Sequence, residues 1–140
     1  MSALGMALAV GAAGAVGALA RVLLDDAWLA YRAGRASRAG DPAGSGRVAG
    51  LAGWPWPLLI VNVVGSFVLG WVHGALPAGS AWATVIGAGW CGGLTTFSTW
   101  AVVAAGALKE RRWARAATVL LGHLVLGLCA AALGLTLAGA

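Results

Sequence analysis

Between Gly89 and Trp100 the chain runs Gly89-Trp90-Cys91-Gly92-Gly93-Leu94-Thr95-Thr96-Phe97-Ser98-Thr99-Trp100. Four of the five residues from Thr95 to Thr99 carry a hydroxyl, and each hydroxyl can donate O–H or accept. This polar run lies inside an apolar segment, at about 81–108, where a plain membrane span would carry Leu, Ile and Val. Gly92-Gly93 is a weak place for a helix, because glycine gives up the most backbone freedom on folding. A break at membrane depth is tolerated only where protein or a water-filled cavity meets the freed backbone groups. The chemistry on offer is therefore a polar path through a bilayer. Nothing in the chain pairs a nucleophile with a base or clusters metal-ligating side chains, so an enzyme is not expected.

The elements that must position this run follow from composition. Of 140 residues, 61% are hydrophobic and 9% charged, against about 25% charged in a soluble domain; mean hydropathy is +0.89. A span takes roughly 20 apolar residues, so residues 1–140 hold one domain of four spans, at about 3–24, 56–76, 81–108 and 116–138. The N-terminal apolar run is too long for a signal-peptide core and has no basic residue before it. The net charge of +5 does not imply nucleic acid, because the bases sit in membrane-flanking loops, where they normally collect. Cys91 and Cys129 fall in different spans and read as small buried apolar residues.

The first span carries Gly5, Gly11, Gly14 and Gly17, small residues that let another helix approach. Arg21, in its last turn, either snorkels to the interface or supplies a charge that draws anions or braces the fold. An extended connector at 25–53 holds Arg32, Arg35, Arg38 and Arg47, and Gly34, Gly40, Pro42, Gly44 and Gly46 argue against one continuous helix there. A short helical start at 26–32 is compatible with that pattern. Trp54-Pro55-Trp56-Pro57 opens the second span with interfacial aromatics and a proline suited to a first turn. Asn62, at membrane depth, is either interhelical glue or a donor lining a pore, and Gly65 and Ser66 follow one turn on. His73, near the span end, reads as interfacial. Pro77 to Ser80 is a tight turn. His123 is the one strongly polar side chain of the last span, placed to touch the polar path or to bond a neighbouring helix.

Four spans put both termini and the middle turn on one side. The other side then holds Arg32, Arg35, Arg38 and Arg47 in loop one, and Lys109, Arg111, Arg112 and Arg115 in loop three. Those are all the Lys and Arg except Arg21. The positive-inside rule places loops one and three in the cytoplasm and both termini outside.

The chain resembles the fluoride channel family, the small bacterial exporters called Fluc or CrcB proteins. Gly17 to Arg21 is similar to the family's GAxxR. Asn62 to Phe67 with Gly70 is similar to NxxGSFxxG, and Gly89 to Thr99 matches GxCGGLTTFST almost throughout. The resemblance implies an all-α membrane protein in the bacterial plasma membrane. Two four-helix subunits would form an antiparallel dual-topology-type dimer, with the third helix of each broken at Gly92 to Thr95. It implies a fluoride-selective channel that lowers cytoplasmic fluoride by passive export through two narrow pores. It also implies a structural, untransported sodium ion held by main-chain carbonyls at the positions of Gly92 and Thr95.

A dry pore must replace the tight water shell of fluoride with donors. Asn62 can donate N–H and Thr96, Ser98 and Thr99 can donate O–H. Phe97 can meet an anion with its positive ring edge. The family's phenylalanine box pairs two phenylalanines three residues apart; Phe97 fits the first and Trp100 stands at the second. In the last helix Val119 and His123 stand near places where the family often carries a Tyr and a Ser or Thr; neither is assigned as an anion ligand. The one-sided bases resemble members that work as pairs of unequal subunits. A homologous partner in opposite orientation, a heterodimer rather than a homodimer, is therefore expected. The alternatives are a non-conducting partner subunit and a small four-span multidrug transporter. The latter needs a membrane-embedded carboxylate, and Asp25, Asp26, Asp41 and Glu110 all lie outside or at the edge of spans.

Overall fold

The computed structural model describes residues 2–38 and 54–139 and is helical throughout, with no strand among the described residues. Helix α1 runs Ala3–Arg38 and α2 runs Trp56–Ala75. The third apolar stretch starts as α3, Ala81–Thr84, widens into a π-helical segment, Val85–Cys91, and returns to α-helix as α4, Gly92–Leu94. Thr95 and Thr96 are extended, and α5, Phe97–Lys109, resumes beyond them. Helix α6 covers Trp113–Gly139. Four stretches are long and apolar enough to cross a membrane: Ala3–Arg35, Trp56–Ala75, Ala81–Lys109 and Trp113–Gly139.

The first helix does not give way to a connector after residue 24. It continues fourteen residues further, to Arg38. The local reason is composition: 25–38 is rich in Ala and Arg, both strong helix formers, with Gly34 its one glycine. Arg35 also donates to the Tyr31 hydroxyl one turn back, at 3.1 Å, and lies 5.9 Å over its ring. The glycines and proline that argue for a loop (Gly40, Pro42, Gly44, Gly46), together with Arg47, lie outside the described residues.

Pro77 to Ser80 closes the middle turn with a Ser80 N–H to Pro77 carbonyl bond of 3.0 Å. Gly79 takes φ +77°, the left-handed conformation that the third turn position requires. Helix α1 packs on the π-helical segment and α4, while α2 and α5 both pack on α6. The close approaches are made where side chains are missing. A methyl on Gly17 would run into the backbone of Trp90 and Leu94, and one on Gly93 into the backbone of Gly14. Gly134 stands in the same relation to Phe67 and Trp71. The core is built of small residues to match, with Val61, Val72 and Val119 its largest fully buried side chains. Leu4, Leu8, Leu19 and Leu23 of α1, and Leu121, Leu128 and Leu137 of α6, point outward. That is the arrangement for a protein whose solvent is lipid.

Candidate pore site

The extended pair Thr95 and Thr96 is held by side chains rather than by the helical ladder. Asn62 of α2 reaches across and binds both main-chain groups of Thr96. Its Oδ1 accepts the Thr96 N–H at 3.0 Å, and its Nδ2 donates to the Thr96 carbonyl at 3.4 Å. Thr96 then caps α5, its Oγ1 accepting the Thr99 N–H at 3.3 Å. In a continuous α-helix those two amides would bond the carbonyls of Gly92 and Thr95, four residues back. Here they are engaged elsewhere, and the Gly92 and Thr95 oxygens lose their helical donors. Among the described residues no group of three or more His, Cys, Asp or Glu side chains is placed to hold a metal. Main-chain oxygens at this turn are the hard donors available to a cation.

The hydroxyls divide in use. Thr95 Oγ1 donates back to the Cys91 carbonyl at 2.8 Å, so its proton is engaged inside the protein. Thr96 Oγ1 donates to Thr99 Oγ1 at 3.0 Å and lies 3.3 Å from Ser98 Oγ. With Thr96 supplying its own proton to Thr99, the Thr99 O–H is left to donate outward. Ser98 and Thr99 are on the exposed face of the turn.

The aromatic pair sits beside them. Phe97 is 76% exposed, and its ring lies 5.0 Å from that of Trp100, tilted by 53°. The Trp100 indole N–H donates to the Val119 carbonyl of α6 at 3.2 Å. That bond occupies the Trp100 N–H. A groove of about 450 Å³ runs past this turn, lined by Asn62, Ser66, Gly92, Thr95, Thr96, Phe97, Trp100 and His123 among others.

The fold thus gathers Asn62, Gly92, Thr95, Thr96, Phe97 and Trp100 along one groove. Thr99 opens instead on a second cavity of about 370 Å³, with Asp25, Trp28, Arg32 and Trp54 in its wall. Ser98 lines neither, and neither does Arg21, whose Nε is buried without a hydrogen-bond partner among the described residues. The residue that sequence reasoning left unassigned is His123, which is 8% exposed and lines the groove. The signal for it was available, since a lone ionisable side chain inside an apolar span is costly unless it has a use.

A helical chain with four stretches long enough to span a membrane, an interrupted third stretch, and hydroxyls and aromatic rings along one groove has the make-up of a membrane protein. The family follows from comparison: residues 8–135 match the family model described as CrcB-like protein, Camphor Resistance (CrcB), and the chain belongs to that family. It is 39% identical over 126 residues to Fluoride-specific ion channel FluC 1 of Mycolicibacterium paratuberculosis, covering 87% of this chain and 81% of that one. It is 37% identical over 112 residues to Fluoride-specific ion channel FluC of Thermococcus gammatolerans, covering 77% and 75%. Over 136 residues it is 32% identical to Fluoride-specific ion channel FluC of Caulobacter vibrioides, covering 94% and 93%.

Proposed function

We propose that this chain forms a fluoride-selective channel that lets the anion leave the cytoplasm down its gradient. The observation that carries the reading is the turn at Thr95 and Thr96, fixed by the Asn62 amide, which sets Phe97 beside Thr96 along one groove. Donors fixed before the ion arrives replace its water without reorganising, which is how a narrow pore selects. The relatives' names give the anion its identity.

The carbonyls of Gly92 and Thr95 suit a structural sodium ion, because the turn has removed their helical donors and sodium is a hard cation that takes oxygen ligands. The ion would brace the broken third helix and would not be transported. A second subunit in opposite orientation would cover Phe97, whose 76% exposure in a single chain leaves the pore wall one-sided. The one-sided bases favour an unequal partner over a second copy, with loops one and three in the cytoplasm.

Efflux from liposomes tests the function. Vesicles loaded with fluoride or chloride are reconstituted with this chain alone, with a homologous subunit alone, and with both. Fluoride release with chloride retained is the expected result. Chloride release at a similar rate would overturn selectivity. Release by the chain alone, from an antiparallel dimer, would overturn the unequal pair.

A further inference from the structure

His123 is buried in the wall of the groove that holds the Thr95–Thr96 turn. Its Nδ1 lies 2.8 Å from the Val119 carbonyl, one helical turn back. A carbonyl only accepts, so Nδ1 carries a proton. The same carbonyl also takes the Trp100 indole N–H at 3.2 Å, and the Trp100 and His123 rings lie 6.4 Å apart. The Val119 oxygen therefore ties the groove aromatic to the groove histidine. The other ring nitrogen, Nε2, is buried and has no hydrogen-bond partner among the described residues.

That orphaned nitrogen has two states with opposite consequences. In the neutral ring Nε2 is a bare lone pair, which repels an anion. In the charged ring it is an N–H donor with a full positive charge and no acceptor, which is costly unless an anion supplies one. Among the described residues no carboxylate, Lys or Arg lines the groove, and Cys91 is its one other titratable side chain. The titratable residues of the packed elements lie away from the ring: His73 late in α2, Lys109 at the end of α5 and Arg115 near the start of α6. Nothing charged in the groove wall competes with an incoming anion for an imidazolium.

We propose that His123 is a proton-dependent anion site in the groove: Nε2, once protonated, donates to the permeating anion, and anion and proton favour each other's binding. By linkage the coupling is reciprocal. The site rests on the fluoride-channel reading for the identity of the anion.

Two measurements test it on the assembled channel, with its partner subunit where that is required. In the first, fluoride efflux is followed from pH 8 to pH 6, with protein-free vesicles subtracted for un-ionised acid crossing the lipid. The wild type is expected to speed up by more than about threefold over that fall in pH. His123→Gln, which keeps a fixed amide, is expected to be flat. In the second, the ring nitrogens of the wild-type protein are followed by ¹⁵N NMR at fixed pH. Sodium fluoride is expected to move His123 toward its protonated signal where sodium gluconate does not, with exposed His73 as internal control. Selective efflux with a flat wild-type profile, or a His123→Gln slope equal to that of the wild type, overturns the histidine site and leaves the channel reading standing. Absence of fluoride efflux at every pH overturns the channel reading. The NMR arm then decides the site alone: a fluoride-driven shift supports it and no shift overturns it.

Discussion

Asn62 holds both main-chain polar groups of a residue thirty-four positions further along the chain. It does so in an apolar setting, where a main-chain N–H or carbonyl without a partner costs about 1–3 kcal/mol. Asn62→Ala removes both bonds at once and leaves the Thr96 amide free to return to the Gly92 carbonyl, which would straighten the turn. A loss of about 1–3 kcal/mol of stability is expected, with fluoride efflux reduced by at least about tenfold, since 1.4 kcal/mol corresponds to that factor. A thermal melt in detergent and a liposome flux assay check the two halves; unchanged efflux would show that the turn does not depend on this amide. The donors themselves were legible in the sequence, because hydroxyl and amide types announce themselves against Leu and Val. Their commitments were not. That Thr95 turns back to Cys91, and that the Trp100 N–H is occupied by Val119, depends on which helix faces which. A one-dimensional pattern does not carry that. His123 was visible as a polar oddity, but its place in the groove wall needed the register of α6 against α5.

Elements are set against one another here by what glycines leave out. Gly93 and Gly11 are both helical glycines in packed spans, yet they should respond differently. A methyl at position 93 would meet the backbone of Gly14, which cannot give way without moving α1, whereas none of the described residues lies within 4 Å of one at position 11. Gly93→Ala is expected to cost about 1–3 kcal/mol through overpacking, and Gly11→Ala to be neutral or to add up to about 1 kcal/mol from helix propensity. Comparing the unfolding of both variants in detergent checks the geometry, and equal effects would mean that α1 does not sit on α4 as described. The four spans were readable because each is a long apolar run. The end of α1 was not, because Gly34 and the glycines at 40 and beyond argued for a loop where 25–38 favours helix. Arginine and alanine carried it to Arg38 despite the single glycine.

The whole molecule is asymmetric in charge, and α1 makes the asymmetry structural. At 1.5 Å per residue its 36 residues extend roughly 54 Å, against a hydrocarbon core of about 30 Å. Several helical turns therefore stand clear of the membrane, and they carry Arg32, Arg35 and Arg38, three apart and so near one face. Loop three adds Lys109, Arg111, Arg112 and Arg115 on the same side of a four-span chain, while the opposite side holds only the uncharged turn around Gly79 and the termini. Each base resists translocation, and their effects accumulate, so insertion in a single orientation is expected. Single cysteines at Ala78 and at Glu110, both exposed, report it in a background with Cys91 and Cys129 replaced by alanine. In intact cells a membrane-impermeant maleimide should label Ala78→Cys and spare Glu110→Cys, and inverted vesicles should show the reverse. Fixed orientation combined with an antiparallel assembly requires a partner inserted the other way, because a chain that always enters the same way cannot supply its own inverted copy. Labelling of both positions from both sides would remove that requirement and leave one chain able to build both halves of the channel.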